Sequence, residues 1–400
     1  GRALLQRVPW LMRNTGNIQK AFGVLMILVA IAIYTNLDRT FQSYIIKTFP
    51  QYGAGLTRFE DRASINQALE KIQGTAGNST ALPKSTGQPL YEMLPKGPKA
   101  PELIQGGVWL NSEPMTLESL KGKVVIIDFW TYSCINCQRT FPYLKEWHKK
   151  YADKGLVIIG VHSPEFEFEK SVKNLEKAVK SFGLTHPIMQ DNNFETWRAY
   201  SNRFWPAKYF IDKDGSIRYT HFGEGAYDES ERVIQQLLEE AGAEDVSTTI
   251  ANPKYENYAR TPEIYLGYER IANFASPETI KSDGVGRYTL PARLEKNEVA
   301  FSGEWFVSGE YSQPKSGATL ELNFEAKEVF LVMRPKTGTG TVRVQVDGQS
   351  KNVGKDVTNG TVTVDTDTLY RLVELPTPGR HTLKLEFLDD NVEVYAFTFG

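Results

Sequence analysis

The sequence predicts three structural parts in order along the chain: a transmembrane helix, an α/β domain and an all-β sandwich. Three observations carry this prediction. An uncharged apolar run covers residues 21–37, strand-like and helical patterns alternate between residues 108 and 242, and apolar and polar residues alternate beyond residue 252. A length of 400 residues agrees with two or three domains, at roughly 150 residues for each domain.

Composition narrows the class of protein. Hydrophobic residues make up 41% of the chain and charged residues 24%, which excludes a wholly disordered chain, a collagen and a coiled coil. The net charge of −2 gives no electrostatic reason to expect a nucleic-acid partner. With only two cysteines, the chain has neither a disulfide scaffold nor a four-cysteine zinc site.

The predicted membrane span occupies part of residues 1–40. The run AFGVLMILVAIAIYTNL, between Lys20 and Asp38, is near the lower limit of about 17 residues for a spanning helix and is apolar on every face. No small-residue cleavage site follows it, which disfavours a signal peptide. Because basic residues precede the run, the positive-inside rule places the N-terminus in the cytoplasm and the later residues outside the membrane.

Residues 41–101 are predicted to form a weakly helical segment followed by a linker rich in Gly, Pro and Ser. Residues 102–245 are assigned to the α/β domain. The runs KVVIIDFW and GLVIIGVH resemble buried strands, and each is followed by a helical pattern, while AKYFID and SIRYTHFG form a hairpin at Asp214-Gly215. Residues 253–400, in which no helical pattern is visible, are assigned to the β-sandwich.

Both cysteines belong to one motif, Cys134-Ile135-Asn136-Cys137, between the first buried strand and its helix. The first cysteine is predicted to face the N-terminal end of that helix, where free backbone N–H groups and the helix dipole stabilise a thiolate. Cys134 is therefore the predicted nucleophile. Cys137 is the predicted resolving cysteine, which attacks Cys134 within a mixed disulfide. Zinc would require two further ligands from histidines that form no matching pair.

Four further residues are predicted to serve this motif. Asp128 lies on the buried strand below the cysteines, where desolvation raises the pKa of a carboxyl and suits it to take the proton of Cys137 through water. The alternative is an Asp at a strand end that faces solvent. Trp205-Pro206 precedes the hairpin, where a cis peptide would present backbone to an incoming peptide; the alternative is an ordinary proline at a strand start. Trp130 is the third predicted substrate contact.

These motifs resemble those of the thioredoxin superfamily. The segment DFWTYSCINC, with Pro142 after it and an X-Pro before the hairpin, is similar to the membrane-tethered TlpA/ResA branch, as is the insertion HSPEFEFEKSVKN. Over the whole chain the resemblance is to the DipZ-type fusions, which join a CcdA-like membrane domain, a redoxin domain and a jelly-roll-like sandwich resembling a carbohydrate-binding module. It implies that residues 1–40 are the tail of the CcdA-like domain. The resemblance implies a thioredoxin-like fold and no cofactor besides the redox-active Cys134–Cys137 disulfide.

The resemblance also implies a reductase that works outside the cytoplasmic membrane on protein disulfides, in cytochrome c maturation or thiol repair. Its expected partners are those disulfides, the membrane and a CcdA-like electron donor, supplied upstream of Gly1 or by another protein. The sequence differs from these families in two respects that affect the mechanism. The carrier's own cysteine pair is absent, and Thr140 stands where ResA-like proteins carry a glutamate, so Asp128 is expected to perform the acid–base step alone.

Two other functions remain open from the sequence. The spacing Thr131-x-x-Cys134 matches part of a peroxiredoxin motif, although Ile127 stands where that motif has a proline. Alternatively, the C-terminal sandwich binds glycans and the redoxin domain is a passenger. Trp305, Tyr311 and Tyr395 would then stack on sugar rings, unless they fill the sandwich core or pack at its edges.

Overall fold

The structure is a computed structural model that describes residues 94–246 and 258–400. We call the first range the redox region and the second the C-terminal β region. The predicted membrane span, the weakly helical segment and the linker up to residue 93 lie outside the described residues. Across the two described ranges, no helix is long and apolar enough to cross a bilayer.

The redox region is built on a six-stranded sheet with the order β1-β4-β3-β2-β5-β6. Strands β2, β3 and β4 are parallel, while β5 and β6 form the predicted antiparallel hairpin. The strands are β1 Trp109–Leu110, β2 Val124–Trp130, β3 Leu156–His162, β4 Ile188–Gln190, β5 Ala207–Ile211 and β6 Ile217–Phe222. The helices are α1 Ile135–Tyr151, α2 Val172–Phe182, α3 Glu195–Ala199 and α4 Tyr227–Glu240.

Alternate residues of the central strand β2 pack into two hydrophobic cores, one on each face of the sheet. Val125, Ile127 and Phe129 join the core on one face of the sheet, and Ile126 and Trp130 join the core on the other face. Every residue of β2 is buried, which agrees with its continuous apolar sequence, because a strand covered on both faces has no solvent side. The α/β prediction and the thioredoxin-like fold are confirmed in this region.

One predicted helix is much shorter in the structure. The sequence NFETWRAYSNRF predicts a helix over its whole length, but only Glu195–Ala199 is helical. The carboxylate of Asp191 accepts the backbone N–H groups of residues 195–197, which starts the helix at Glu195. Ser201 has a φ of 51°, a left-handed conformation that ends it.

The C-terminal β region is a ten-stranded sheet with the order β13-β14-β12-β15-β11-β16-β10-β9-β8, and β7 pairs with β16. No helix occurs within residues 258–400. The strands are β7 Ile264–Tyr265, β8 Gly284–Tyr288, β9 Val299–Val307, β10 Ser312–Pro314, β11 Thr319–Pro335, β12 Gly340–Val346, β13 Val357–Thr358, β14 Thr361–Val364, β15 Thr368–Phe387 and β16 Val392–Phe399. The all-β prediction is confirmed, and β7 to β10 add strands that the sequence did not predict.

Two pairs of predicted strands are continuous in the structure. ATLELNFE and VFLVMRP together form β11, and RLVELP and HTLKLEFL together form β15. These long strands pair with each other across irregularities between Ala326 and Glu328 and between Val329 and Phe330. A β-bulge absorbs an extra residue and bends a strand without ending it, so the interrupted polar–apolar alternation does not mark a turn here.

The redox region and the C-terminal β region share a hydrophobic core. The ring of Tyr395, on β16, lies 5.1 Å from the ring of Phe166 and 4.8 Å from that of Phe168, measured between centroids. All three side chains are buried. Arg139, on α1, adds an ion pair to Glu328 on β11 at 3.2 Å. The C-terminal β region therefore packs directly on the helix and the insertion that surround the cysteine motif.

Candidate active site

The two cysteines have different environments. Cys134 is the N-cap residue of α1, and its Sγ accepts a hydrogen bond from the backbone N–H of Cys137 at 3.2 Å. Cys134 is half-buried, whereas Cys137 is 0% exposed. Burial raises the pKa of the Cys137 thiol well above its ordinary value, and the neighbouring Cys134 sulfur raises it further. Of the two sulfurs, that of Cys134 is therefore the more accessible, and it lies at the N-terminal end of a helix.

Asp128 is fully buried on the face of the sheet that α1 covers, and it does not face solvent. Its charge is one of the influences that raise the pKa of Cys137, which places it near that thiol. Burial raises the pKa of Asp128, and the Lys208 ammonium opposes this rise. The Nζ atom of Lys208 lies 3.3 Å from Oδ1 of Asp128, because the two residues are cross-strand partners in β5 and β2.

The buried ammonium of Lys208 was not predicted from the sequence as a direct partner of Asp128. That Asp128 performs the acid–base step alone, with Thr140 in the place of a glutamate, stays a prediction. The sequence held one signal for Lys208. It is the single charged residue in the otherwise apolar stretch AKYFI of β5, and a charge in a buried strand requires a partner.

The peptide bond between Trp205 and Pro206 is cis. Because Phe129 pairs with Ala207, Pro206 lies beside the end of β2 that leads to the cysteine motif. Trp205 donates its indole N–H to the carbonyl of Ser163 at 3.0 Å and packs on Trp197 at 4.4 Å between ring centroids. The structure thus brings the predicted Trp205-Pro206 segment to the same edge of the sheet as Cys134.

Trp130 lies in the hydrophobic core and not at a surface that a substrate could contact. Its side chain is 1% exposed and lies edge-on to Phe141 at 5.2 Å and to His162 at 5.1 Å, between ring centroids. It fills the core between β2 and α1 and has no surface to offer a substrate. The prediction of a substrate contact at Trp130 is therefore corrected to a core role, which follows from its inward position on a strand that is buried on both faces.

A second buried carboxylate beside the motif was missed. Glu169 is 0% exposed and lies in a short 3₁₀ segment, Glu167–Lys170, in the insertion after β3. Its Oε1 accepts the hydroxyl of Ser133 at 2.7 Å and the backbone N–H of Ser133 at 3.2 Å. Nothing in EFEFEK separates this glutamate from its neighbours, since Glu165, Glu167 and Glu169 alternate with phenylalanines in the same way.

The C-terminal β region approaches Cys134 closely. A small cavity of about 20 Å³ lies between the regions, lined by Ser133, Cys134, Glu165 and Phe166 from one side and by residues such as Tyr265, Val332 and Phe397 from the other. The hydroxyl of Tyr265 donates to Oε1 of Glu165 at 2.8 Å across this contact. One side of Cys134 is therefore bounded by the C-terminal β region.

Of the three aromatic residues considered for sugar stacking, two are buried. Trp305 is 0% exposed and stacks on Phe301 at 4.1 Å in the core of the C-terminal β region. Tyr395 is 2% exposed in the contact with the redox region. Tyr311 is half-buried and lies 5.4 Å from Tyr395 between ring centroids. In this arrangement the rings of Trp305 and Tyr395 serve packing.

Comparison with known proteins places both described regions in families. Residues 97–220 match the AhpC/TSA family, and residues 261–400 match the family described as a thioredoxin like C-terminal domain. Protein DipZ of Mycobacterium tuberculosis is 33% identical over 411 residues, covering 100% of this chain and 56% of DipZ. The chain thus spans about half the length of this relative.

Two shorter relatives match the redox region over most of their own length. The thiol-disulfide oxidoreductase YkuV of Bacillus subtilis is 32% identical over 141 residues, which is 35% of this chain and 94% of YkuV. The thiol-disulfide oxidoreductase ResA of Bacillus cereus is 32% identical over 146 residues, which is 36% of this chain and 80% of ResA. With its thioredoxin-like fold, the chain therefore belongs to the thiol–disulfide oxidoreductase family that contains ResA and YkuV, and it is homologous to DipZ along its whole length.

Proposed function

We propose that this protein is a membrane-anchored reductase that transfers electrons to protein disulfides outside the cytoplasmic membrane. The observation that carries the proposal is the asymmetry of the cysteine pair. Cys134 is half-buried at a helix N-terminus, whereas Cys137 is fully buried and its thiol has a raised pKa. An accessible thiolate that attacks, followed by a shielded thiol that resolves, is the order of events in disulfide exchange.

In the first step, the Cys134 thiolate attacks one sulfur of the substrate disulfide. A new bond joins Cys134 to that sulfur, the substrate disulfide breaks, and the other substrate sulfur leaves as a thiolate that takes a proton from solvent. Trp205 and Pro206 lie at the same edge of the sheet and are the proposed contacts for the peptide that carries the disulfide.

In the second step, Cys137 gives up its proton and attacks Cys134. The mixed disulfide breaks, the substrate departs fully reduced, and the Cys134–Cys137 disulfide holds the oxidation that the substrate lost. Asp128 is the proposed acceptor of the Cys137 proton, through water, and its raised pKa brings it closer to the working pH. A CcdA-like membrane donor is proposed to return the pair to its dithiol form.

Trapping experiments test the assignment of the two cysteines. Cys137→Ser is expected to accumulate a mixed disulfide with a peptide substrate, because the resolving thiol is gone. Cys134→Ser is expected to form no adduct and to lose exchange activity. Recovery of adducts from Cys134→Ser protein, with none from Cys137→Ser, would reverse the assignment.

The topology is tested separately. A reporter cysteine near Lys84, placed in a variant that lacks Cys134 and Cys137, is expected to react with membrane-impermeant reagents in intact cells. The basic residues before residue 21 support this orientation. Protection of the reporter until the cells are permeabilised would contradict an extracytoplasmic site.

The surroundings of Thr131 favour disulfide exchange over peroxide reduction. A peroxidatic site would direct the threonine hydroxyl and an arginine at the cysteine. Here the hydroxyl of Thr131 lies 3.4 Å from Nε2 of His162. Arg139, the arginine nearest in sequence, pairs with Glu224 and Glu328. Thr131→Val is therefore expected to leave exchange with a peptide disulfide largely intact.

The C-terminal β region is proposed to form a sandwich of the jelly-roll kind that binds a glycan, in keeping with the resemblance to carbohydrate-binding modules. Because Trp305 and Tyr395 are buried, a glycan would have to contact other residues of this region. Binding of cell-wall glycans to the intact protein, measured by co-sedimentation with and without soluble competitor sugars, tests this part of the proposal.

A further inference from the structure

Glu169 is a buried carboxylate for which the exchange mechanism has given no role. It is 0% exposed, and within the described ranges no lysine or arginine nitrogen lies within 4.0 Å of its oxygens. Burying a carboxylate without a counter-ion is costly unless hydrogen bonds replace its hydration. The residue therefore requires an explanation either in the fold or in the chemistry of the site.

The Glu169 carboxylate accepts two hydrogen bonds at each oxygen from Ser133, Glu165 and Phe166, and the side chain of Thr131 is a further partner. Oε1 accepts the N–H and the hydroxyl of Ser133. Oε2 accepts the N–H groups of Glu165 at 2.6 Å and Phe166 at 3.1 Å. Three of these partners are backbone N–H groups, which can only donate. Burial raises the pKa of Glu169, and the hydrogen bonds from Thr131, Ser133 and Phe166 oppose this rise. The ionised form is the one that these donors stabilise, since it accepts at both oxygens.

Both ends of this network lie next to the nucleophile. Ser133 immediately precedes Cys134 in the chain, and Glu165 and Phe166 line the small cavity that Cys134 also lines. The carboxylate thus joins the strand-to-helix turn that carries the nucleophile to the loop on the other side of the cavity. No solvent separates its charge from this turn, so the charge is weakly screened.

We propose that Glu169 is a positioning residue that fixes the turn carrying Cys134 and, through its negative charge, opposes formation of the Cys134 thiolate. The inference depends on the proposed role of Cys134 as nucleophile. Like charges close together in a dry site disfavour each other. The charge of Glu169 therefore slows attack by Cys134 and favours the neutral disulfide over the dithiol form of the motif.

Two substitutions are predicted to act in opposite directions. Glu169→Gln keeps the shape and removes the charge, so the reduced protein is expected to be alkylated several-fold faster at Cys134. Its equilibrium with glutathione is expected to shift about tenfold toward the dithiol, which corresponds to about 30 mV. Ser133→Ala removes the 2.7 Å hydrogen bond from the serine hydroxyl to the carboxylate and leaves the charge less neutralised, so alkylation at pH 8 is expected to slow at least twofold.

Glu167→Gln is the matched control. Glu167 lies in the same 3₁₀ segment, but its side chain is 72% exposed and pairs with Lys170, so its charge is screened by water. This variant is expected to match the wild type within a factor of two in both measurements.

A purely structural role for Glu169 predicts a different result. Loosening the turn would change the alkylation rate in the same direction in Glu169→Gln and Ser133→Ala, with a lower melting temperature and no shift in the glutathione equilibrium. That outcome would overturn the proposal. If Glu169→Gln fails to fold, Ser133→Ala still tests the proposal. An alkylation rate at Cys134 that is unchanged or faster in Ser133→Ala would overturn the proposal. Alkylation at Cys137 instead of Cys134 in the wild type would contradict the proposed function itself.

Discussion

Lys208 and Asp128 form an ion pair inside the redox region, with 3.3 Å between Nζ and Oδ1 and each side chain 1% exposed. Burial raises the pKa of Asp128, while the adjacent ammonium lowers it, and burial is the larger influence. The carboxyl of Asp128, beneath the cysteines, therefore has a pKa that is raised by burial but less than it would be without Lys208. Two predictions follow for the resolving step.

The first prediction concerns the proton acceptor. Asp128→Asn keeps the shape of the side chain and removes the base, so release of substrate from the mixed disulfide is expected to slow by about 10²–10⁴-fold. Initial attack by Cys134 is expected to change much less, because the helix terminus stabilises its thiolate. Stopped-flow measurement of the two steps separates these effects.

The Asp128→Asn variant also leaves Lys208 without its counter-charge, at a cost of about 3–5 kcal/mol in free energy of unfolding. Resolution at the wild-type rate in folded Asp128→Asn protein would remove Asp128 from the mechanism.

The second prediction concerns pH. Lys208→Gln removes the positive charge that lowers the pKa of Asp128, so the carboxyl is expected to ionise at higher pH. The rate of resolution, plotted against pH, is then expected to rise at a higher pH than in the wild type. Lys213→Gln, in the exposed turn between β5 and β6, serves as the control and is expected to leave the profile in place. A profile shifted to lower pH by Lys208→Gln would contradict the pairing.

A third prediction concerns acid stability. His162 is 0% exposed, and burial lowers its pKa to about 3. In the unfolded chain it takes up a proton near pH 6.5. Between these values the unfolded state binds more protons, so the contribution of His162 to stability falls as the pH falls below 6.5.

The wild type is therefore expected to lose about 1 kcal/mol more free energy of unfolding between pH 6 and pH 5 than His162→Gln does. Urea titrations of both proteins at the two pH values measure this difference. Buried carboxyls such as Glu169 have a raised pKa and the opposite dependence, but they are common to both proteins and cancel. Equal losses in the two proteins would show that His162 does not titrate on unfolding.

A fourth prediction concerns Arg139, which joins α1 to two other elements. Its guanidinium pairs with Glu224 after β6 at 3.4 Å and with Glu328 on β11 at 3.2 Å, and it is 8% exposed. Arg139→Met is expected to lower the free energy of unfolding by about 2–3 kcal/mol, less than for a fully buried pair, since both carboxylates are 20% exposed.

Arg343→Met is the control for Arg139→Met. It breaks a pair with Glu386 in which the side chains are 45% and 35% exposed, so the expected loss is below about 1 kcal/mol. Denaturant titrations of both variants give the comparison. Equal losses would mean that the two pairs contribute alike and that burial of Arg139 adds nothing.

The sequence predicted those features that depend on local pattern. β2, the β5–β6 hairpin and α2 are confirmed because a buried strand, an Asp-Gly turn and a helix that ends at Gly183 each have a local signature. Lys208 was missed because its partnership with Asp128 depends on strand register, which the sequence does not state. Glu169 was missed because only the folded insertion distinguishes it from Glu165 and Glu167. The continuity of β11 was missed because a bulge interrupts the alternation that defines a strand.

The position of Tyr395 has a consequence for how the redox region is studied. Phe166 is 3% exposed and Phe168 is 5% exposed, and the ring of Tyr395 lies against both. A fragment that ended at residue 246 would uncover these two phenylalanines beside the cysteine motif. Adjacent exposed aromatic rings promote self-association, so such a fragment is expected to form dimers or aggregates through the face beside the cysteine motif. Kinetic constants measured on this fragment would therefore be affected by exposed phenylalanines that are buried in the intact chain.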